Sequence, residues 1–196
     1  MAEAWLFLKD AFRRPRQMGA IAPSGRELAD LMVAEVDVRP EHVVVELGAG
    51  TGTITRAIRD RAPNGALLAF EPGPDLAKVL RERYPGVEVS ERLAHELPEV
   101  LAAWKDGKVD RVVSGLPWTI WPREEQARIL EGVVRSMQPD GRFVTFTYVH
   151  SQVLPGAGDL KNLLSAYFER VTKTRVAWMN VPPAFAYVAE GPRLPG

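Results

Sequence analysis

The stretch VVVELGAGTGTITRAI, residues 43–58, is the feature that most constrains the fold of this chain. An apolar run of strand length comes first, glycines then alternate with small residues, and a pattern with apolar spacing of three and four follows. Glycines in that context let the backbone approach a ligand at the N-terminus of a helix. The stretch therefore predicts the first strand, ligand loop and helix of a parallel α/β sheet.

Strand-length apolar runs alternate with helix patterns along most of the chain. The strand candidates are VVVEL at 43–47, ALLAF at 66–70, VEV at 87–89, RVVSGL at 111–116 and RFVTFTYV at 142–149. Between them TITRAIRDR, DLAKVLRERY, a weak LPEVLAAW and EEQARILEGVVRSM have the apolar spacing of helices. This order predicts a mostly parallel sheet wrapped by helices. A helix, DLKNLLSAYF, and a hairpin of VTKTRVAWM and FAYVAE are expected to follow.

Composition excludes several classes of function. The length of 196 residues favours one α/β domain with a substantial core. Lysine plus arginine equals aspartate plus glutamate at 25 each, so no overall positive field attracts nucleic acid. The absence of cysteine excludes disulfides, thiolate metal ligands and a cysteine nucleophile. The scattered histidines, His42, His95 and His150, predict no metal site.

The spacing of the glycines, and the acid before them, narrow the choice of cofactor. Gly48, Gly50 and Gly52 form GxGxG, whereas the dinucleotide fingerprint requires its third glycine where Thr53 stands. Glu46 at the strand end would repel a pyrophosphate but attract a cofactor with an ammonium and a sulfonium group. The motif ExGxGxG resembles that of class I S-adenosylmethionine-dependent methyltransferases. A plain glycine-rich turn in another doubly wound fold is the alternative.

That resemblance implies the complete fold and a cofactor site. The fold is a Rossmann-like class I methyltransferase, with a seven-stranded mostly parallel sheet, an antiparallel C-terminal strand and helices on both faces. Glu71 at the tip of the second strand is expected to accept hydrogen bonds from both ribose hydroxyls; a solvated acid is the alternative. Leu93 stands where such enzymes often have an acid for the adenine, so backbone amides near Leu93 and Ala94 are expected there. The predicted cofactor set is Gly19, Ala20, Glu46, Gly48, Ala49, Gly50, Thr51, Gly52, Glu71, Pro72, Ala94 and Ser114.

The sequence SGLPW ends the fourth predicted strand. It resembles the (N/D/S)PP(Y/F/W) motif of methyltransferases that act on amino groups of nucleic acid bases. A serine hydroxyl here replaces an amide, which makes the grip on a planar base amino group less secure. Ser114 and the carbonyls of Gly115 and Leu116 are expected to address the cofactor and the amine. Trp118 and Trp121 are expected to face methylated nitrogen or lipid, with packing as the alternative for at least one of them.

Longer stretches resemble the bacterial phospholipid N-methyltransferases. The matching parts are FLKDAFRRPRQMGAIAPSGRELADLM, ELGAGTGTIT, EPGPDLAKVLRERYPG, VVSGLPWTIWP, RFVTFTY and NVPPAFAY. Members convert phosphatidylethanolamine stepwise towards phosphatidylcholine and are related to ribosomal RNA adenine dimethyltransferases. The resemblance implies an enzyme that methylates the amine of phosphatidylethanolamine and of its mono- and dimethyl derivatives.

Residues 3–14 have the pattern of an amphipathic helix. Trp5 and Phe12 lie on its apolar face, while Arg13 and Arg14 supply cations towards the other side. We expect this helix to bind an anionic membrane surface, which makes the enzyme cytoplasmic and peripherally associated with the inner face of the plasma membrane. An ordinary helix packed on the domain is the alternative.

Two segments are therefore predicted. Residues 1–23 comprise the membrane-binding helix and a segment that covers the cofactor, and residues 24–196 comprise the methyltransferase domain. Ser24 is expected to cap the helix RELADLMVAEV. The protein is expected to act as a monomer without metal.

Deprotonation of the substrate amine is the chemical difficulty. An ammonium with a pKa near that of lysine costs on the order of 4 kcal/mol to deprotonate at pH 7. Tyr148, His150 or solvent is expected to accept or relay the proton, and the ring of Tyr148 could hold the cationic amine; a core aromatic is the alternative. The predicted catalytic set is Tyr148, Ser114, Gly115 and Leu116, and the predicted lipid-binding set is Trp5, Arg13, Arg14, Arg16, Trp118, Trp121 and His150. A solvated basic cluster is the alternative for the three arginines.

Two other functions stay open on the sequence. One is a soluble N-methyltransferase of ribosomal RNA adenine or of a small-molecule amine, which needs the same cofactor loop but no membrane. The other is a protein that binds S-adenosylmethionine without catalysis. The equal numbers of cationic and anionic side chains disfavour the RNA substrate.

Overall fold

The computed structural model describes residues 23–104, 107–118, 121–150 and 159–195, which form a sheet flanked by helices. The strands are β1 (Val43–Leu47), β2 (Ala66–Phe70), β3 (Glu88–Ser90), β4 (Val109–Ser114), β5 (Met137–Tyr148), β6 (Phe168–Ala177) and β7 (Ala184–Pro192). The helices are α1 (Pro23–Glu35), α2 (Thr53–Arg61), α3 (Pro74–Arg83), α4 (Leu97–Ala102), α5 (Arg123–Ser136) and α6 (Asp159–Tyr167), with a short 3₁₀ turn (Ala94–Glu96) before α4.

The strands form one sheet in the order β3-β2-β1-β4-β5-β7-β6. Neighbours pair in parallel from β3 to β5, whereas β7 pairs antiparallel with both β5 and β6. The predicted seven-stranded, mostly parallel sheet with an antiparallel C-terminal strand is confirmed. The strand order reverses between β1 and β4, and open α/β sheets bind ligands at the carboxyl ends of the strands at such a point.

Continuous apolar sequence in the inner strands reflects burial on both faces. Val44, Val45 and Leu47 of β1 are buried, and Val45 lies between Leu68 of β2 and Val112 of β4. A strand covered by helices on both sides has no solvent face with which to alternate. The position of each strand in this helix-covered sheet therefore fixes where the loop that follows the strand begins.

Two apolar layers flank the sheet. In one, α1, α2 and α3 bury Met32, Ile58 and Leu80. In the other, α4, α5 and α6 bury Leu97, Leu130 and Leu164. Each such side chain contributes about 1.5–3 kcal/mol of transfer free energy. The predicted helices on both faces are confirmed.

Strand β5 is longer than its sequence pattern indicated. It begins at Met137 and not at Arg142, because Met137 already pairs with Val109 before the register between β4 and β5 shifts. Likewise, β6 begins at Phe168, which pairs with Pro192, so the helix predicted over DLKNLLSAYF ends one residue early. In both places pairing with a distant strand decides the boundary.

Helix α1 also starts earlier than predicted. It begins at Pro23, so Ser24 lies in its first turn and not at the predicted cap position. Proline suits the first turn because the N–H that it lacks has no partner within a helix at that point. The helix and cofactor-covering segment predicted before residue 23 lie outside the described residues. Among the helices that are described, none has the length and apolar character that crossing a bilayer requires.

Candidate functional site

The loops that follow β1, β2 and β4 meet at the carboxyl edge of the sheet. The backbone N–H groups of Gly48 and Ala49 both donate to the carbonyl of Phe70, each at 3.0 Å. The N–H of Gly115 donates to the carbonyl of Leu47 at 2.8 Å. These bonds join the glycine loop to both neighbouring strands, so its position is set by the sheet.

The glycine loop has a backbone that side chains would disrupt. Gly48, Gly50 and Gly52 have φ angles of 79°, 54° and 85°, in the left-handed region that glycine tolerates. A Cβ on Gly48 would lie 2.8 Å from Cδ2 of Leu116, and one on Gly115 would lie 2.8 Å from the carbonyl oxygen of Gly48. The loops after β1 and β4 are therefore so close that a side chain on Gly48 or Gly115 would collide with the other loop.

Glu71 ties the loop after β2 to the glycine loop. It is buried, Oε2 accepts the N–H of Gly50 at 2.8 Å, and Oε1 accepts the N–H of Gly73 at 2.8 Å. Burial raises the pKa of Glu71, and the two backbone N–H groups oppose that rise. A carboxylate has about four lone-pair sites, so each oxygen retains the capacity to accept a ligand hydroxyl. Pro72, which follows, is half-buried, and Thr51 in the facing loop is exposed.

Glu46 is fully buried at the end of β1. Its Oε2 accepts the hydroxyl of Thr55 at 2.6 Å, whereas Oε1 is buried without a hydrogen-bond partner. Burial, with a smaller contribution from the charge of Glu71, raises the pKa of Glu46 to about 7. A buried carboxylate oxygen without a partner is unfavourable unless a cationic or donor group approaches it. The site therefore fits a ligand with positive charge.

The third predicted contact, at the end of β3, has no acid directed at the glycine loop. Glu91 pairs with Arg81 at 2.7 Å, and the N–H of Leu93 donates to Glu96 at 2.8 Å. The predicted backbone contact to an adenine at Leu93 would have to displace Glu96. Ala94 is buried at the start of the 3₁₀ turn.

The sequence SGLPW forms a compact hydrogen-bonded turn after β4. Oγ of buried Ser114 accepts the indole Nε1–H of Trp118 at 3.1 Å and the N–H of Leu116 at 3.4 Å. The carbonyl of Leu116 in turn accepts the N–H of Trp118 at 3.0 Å. The serine and the Leu116 carbonyl, both predicted to address cofactor and amine, therefore already hold the turn itself.

The two tryptophans of this loop have different environments. Trp118 is only 2% exposed, with its ring edge-on to Phe143 at 6.0 Å. Trp121 is half-buried and lies 6.3 Å from Trp118, centroid to centroid. Gln126 from α5 donates to the backbone carbonyls of both. Trp118 thus lies in the core, which is the packing alternative stated for one of the pair, and Trp121 retains ring surface beside it.

Tyr148 and His150 lie at the end of β5. Tyr148 is half-buried, with its ring edge-on to Phe146 and stacked on His150 at 5.5 Å and an interplanar angle of 17°. Burial raises the pKa of the Tyr148 phenol. The phenol is therefore protonated at neutral pH.

The remaining predicted residues lie outside the described part of the chain: Trp5, Arg13, Arg14, Arg16, Gly19 and Ala20. Among the described residues, no group of three histidine, aspartate or glutamate side chains is arranged to hold a metal ion.

Two residues that support the site were not predicted. Thr55 on α2 bonds Glu46, and the hydroxyl of Tyr84 donates to the carbonyl of Gly52 at 3.1 Å. A Cβ on Gly52 would lie 2.8 Å from the Tyr84 ring, so this tyrosine also accounts for the glycine. Tyr84 is distant in sequence and ends an ordinary amphipathic helix, and no local pattern indicates its role.

Comparison with known proteins gives consistent matches. Residues 44–141 match the family described as "Methyltransferase domain". Over 195 residues the chain is 32% identical to the ornithine lipid N-methyltransferase of Singulisphaera acidiphila, with 97% of each chain covered. It is 39% identical over 85 residues to ribosomal RNA small subunit methyltransferase A of Thermotoga neapolitana, a match that covers 41% of this chain and 32% of that one.

A solved structure gives the same fold at low identity. It is the 1,6-didemethyltoxoflavin-N1-methyltransferase of Burkholderia thailandensis with bound 1,6-didemethyltoxoflavin and S-adenosylhomocysteine, at a TM-score of 0.69 and 16% identity, covering 95% of this chain and 86% of that one. The lipid enzyme thus matches over nearly the whole length, whereas the ribosomal RNA enzyme matches over less than half of this chain.

Proposed function

The chain belongs to the methyltransferase domain family, and from this membership we propose that it methylates the amine nitrogen of a membrane lipid. The observation that carries the proposal is the match to a lipid N-methyltransferase along 97% of both chains. A match of that extent reaches well beyond the glycine loop. Ornithine lipid is the first candidate substrate, by analogy with that relative. Phosphatidylethanolamine and its mono- and dimethyl derivatives are the second, on the resemblance of RPRQMGAIAPS, SGLPW and FTY.

The cofactor is S-adenosylmethionine, and the site has the features that such a group requires. When bound, S-adenosylmethionine supplies a methyl group on a positively charged sulfur. Gly48, Gly50 and Gly52 would let the backbone approach it, and Glu71 would accept its ribose hydroxyls. The unpartnered Oε1 of Glu46 would lie near its positive charge.

Glu46 links cofactor binding to protonation. With a pKa of about 7, this carboxyl is roughly half protonated at neutral pH before a ligand binds. A cation near Oε1 stabilises the ionised form, so cofactor binding is expected to release a proton from Glu46. The ionised Glu46 then remains in the site, where its negative charge attracts the positive charge of the cofactor.

Tyr148 is proposed to position the substrate amine. The proton of the amine is proposed to pass to a group other than Tyr148. Because burial raises the pKa of this phenol, it is protonated at neutral pH and cannot take up a proton as a phenolate. Its ring face can hold a cationic nitrogen, which continues to work after methylation. His150 is exposed and stacked on Tyr148, so it and solvent are the proposed acceptors of the amine proton.

Membrane contact through the N-terminal segment belongs to the same proposal. Trp5 and the cations Arg13, Arg14 and Arg16 provide the apolar and basic groups that bind the surface of an anionic bilayer. The enzyme would then act as a monomer on the inner face of the plasma membrane.

One experiment separates this function from its alternatives. The protein is incubated with methyl-labelled S-adenosylmethionine and one of four acceptors: ornithine lipid vesicles, phosphatidylethanolamine vesicles, ribosomal RNA or a soluble amine. Both kinds of vesicle also contain anionic lipid. We expect label in a lipid, and the lipid that carries it identifies the substrate. Label in RNA or in the soluble amine alone would contradict the proposal. Cofactor binding without label in any acceptor would favour a protein that binds without catalysis.

A further inference from the structure

The connection between β6 and β7 exposes apolar side chains. Residues 178–183 have the sequence WMNVPP, here named the β6–β7 loop. Trp178 is 70% exposed, Met179 is 67% exposed and Val181 is 78% exposed. Single exposed apolar residues are ordinary, but three such side chains in one short loop mark a surface that contacts something.

The loop lies at the edge of the sheet that carries the candidate site. Ala184 at the start of β7 pairs with Ala177 at the end of β6 and with Tyr148 at the end of β5. The N–H of Val149 donates to the carbonyl of Pro183 at 2.8 Å. Because β7 is antiparallel, the loop before it stands at the carboxyl ends of the parallel strands. It is therefore a neighbour of Tyr148 and lies at the same edge of the sheet as the glycine loop.

Hydrogen bonds hold the loop in place. Oε2 of Glu27 on α1 accepts the N–H of Met179 at 3.0 Å, and Oε1 accepts a guanidinium N–H of Arg175 at 3.1 Å. Asn180 is buried and donates from Nδ2 to the carbonyl of Pro182. The polar groups of the loop point inward to these partners, while its apolar side chains point to solvent.

Charge around the loop is suited to a bilayer surface. No charged residue occurs from Val176 to Ala189. Glu27, the acid that accepts the N–H of Met179, is paired with Arg175, and Arg26 and Lys173 are exposed cations on α1 and β6. An apolar tip with an indole and with cations behind it matches the order of acyl chains, interface and anionic headgroups in a bilayer.

We propose that the β6–β7 loop inserts into a lipid bilayer and so presents the carboxyl edge of the sheet to the membrane. This inference rests on the proposed function, because a lipid amine cannot leave the bilayer and the site must come to it. A protein partner fits less well. Three side chains expose at most a few hundred Å² (a Trp buries about 150–250 Å²), whereas a stable interface needs about 800 Å² from each partner.

Vesicle binding by the full chain tests the inference. The triple variant Trp178→Ser, Met179→Ser, Val181→Ser is compared with wild type on phosphatidylethanolamine–phosphatidylglycerol vesicles by sedimentation, without cofactor. The matched control is Val79→Ser with Leu194→Ser, which removes two apolar side chains of 46% and 47% exposure away from this loop. We expect the triple variant to lose at least about tenfold in vesicle affinity, and the control and S-adenosylhomocysteine binding to be unchanged. Equal vesicle affinity of the triple variant and wild type would overturn the inference.

Fluorescence identifies the occupant of the loop. The contribution of Trp178 is obtained as the difference between wild type and Trp178→Phe. We expect this difference to shift to the blue and to be quenched when vesicles of brominated lipid are added. A difference spectrum that is already blue in a monomer without vesicles would mean that the chain covers its own loop. A triple variant of lower mass in sedimentation equilibrium would mean that a second copy covers it; either outcome overturns the inference.

The outcome for the loop is separable from the outcome for the proposed function. If wild type labels a lipid in detergent micelles while the triple variant binds vesicles normally, the function stands and the loop inference fails. If vesicle binding requires the loop while no lipid is labelled under any condition, the loop inference stands as membrane binding and the lipid methyltransferase function fails.

Discussion

The backbone N–H of Gly50 donates to Oε2 of Glu71 at 2.8 Å, which joins the loop after β1 to the loop after β2 inside the candidate site. The other oxygen of Glu71 accepts the N–H of Gly73. One carboxylate thus fixes two loops and remains able to accept further hydrogen bonds from a ligand. Its position depends on acceptor atoms on both sides of the carboxyl group.

We expect Glu71→Gln to weaken the site even though the two side chains have nearly the same shape. The amide would place a donor against the N–H of either Gly50 or Gly73, and a buried unpaired donor costs about 1–3 kcal/mol. Calorimetry should give a lower free energy of unfolding and weaker S-adenosylhomocysteine binding. Glu99→Gln, an exposed acid on α4, is the control and should alter neither. An unchanged cofactor affinity in Glu71→Gln would refute the proposed role.

Stability should depend on pH through Glu46. Its folded pKa of about 7 is above the ordinary value of 4.5, so between these pH values the folded state holds a proton that the unfolded state has released. The free energy of unfolding therefore falls as pH rises from 4.5 towards 7, by about 3 kcal/mol at most from this group. Glu46→Gln should lack this decline and be the more stable protein at pH 8, as measured by urea unfolding at several pH values.

The same residue predicts the pH dependence of cofactor binding. A cationic ligand requires ionised Glu46, so affinity for S-adenosylmethionine should increase as pH rises towards 7 and level off above it. From pH 6 to pH 7.5 we expect a gain of about five- to tenfold. Glu46→Gln should bind weakly with no such gain. Equal pH profiles in the variant and wild type, measured by titration calorimetry, would assign the effect to another group.

Gly48→Ala should damage the site, and Gly86→Ala offers a matched control. Both glycines have positive φ, 79° and 100°, so both substitutions strain the backbone by about 1–3 kcal/mol. Only at Gly48 would the new methyl group collide, at 2.8 Å from Leu116, whereas at Gly86 nothing lies within 4 Å. Thermal unfolding should show loss in both variants. Cofactor binding should be lost in Gly48→Ala alone.

The bond from Trp118 to Ser114 should be measurable by a double-mutant cycle. Ser114→Ala leaves a buried indole N–H without an acceptor, which should lower the free energy of unfolding by about 1–3 kcal/mol. Trp118→Phe removes that donor, so adding Ser114→Ala to it should cost clearly less. Additive losses in urea unfolding would show that the two side chains are not coupled.

Substitutions at Tyr148 should separate its ring from its hydroxyl. We expect Tyr148→Phe to keep kcat within about fivefold of wild type, because the ring face remains. Tyr148→Leu should lose about thirtyfold, which corresponds to the roughly 2 kcal/mol of a desolvated cation–π contact. Both variants should bind S-adenosylhomocysteine normally. A collapse of kcat in Tyr148→Phe would instead assign the hydroxyl an essential part.

The parts of the molecule that depend on a local sequence pattern can be predicted from the sequence. Strand β1, the glycine loop and α2 are contiguous, and the burial of β1 on both faces appears directly as VVVEL. Glu71 could be placed in the site because it ends a strand whose position in the sheet follows from the order of the elements. Its two backbone donors could not, since Gly50 and Gly73 meet it only once the loops are folded.

Direction and depth of side chains were harder to predict. SGLPW indicates a turn with an aromatic residue, but burial of Trp118 against Phe143 depends on β5 and is not encoded within the motif. The pattern of VTKTRVAWM predicts a strand to its end, whereas β6 ends at Ala177 and leaves Trp178 and Met179 in the exposed loop. Pairing with β7 sets the end of β6, because Ala177 and Ala184 are the last pair between the two strands.

The placement of β7 between β5 and β6 also determines the order in which parts of the sheet can form during synthesis. A ribosome releases β1 to β5, with Glu46, Glu71 and Ser114, before it has made either strand of the terminal hairpin. Until that hairpin emerges, β5 is the outermost strand of a growing sheet, with unpaired backbone groups along one side. The half of the molecule that holds the glycine loop can thus assemble during synthesis, and the exposed apolar loop forms only when the last strand pairs with β5.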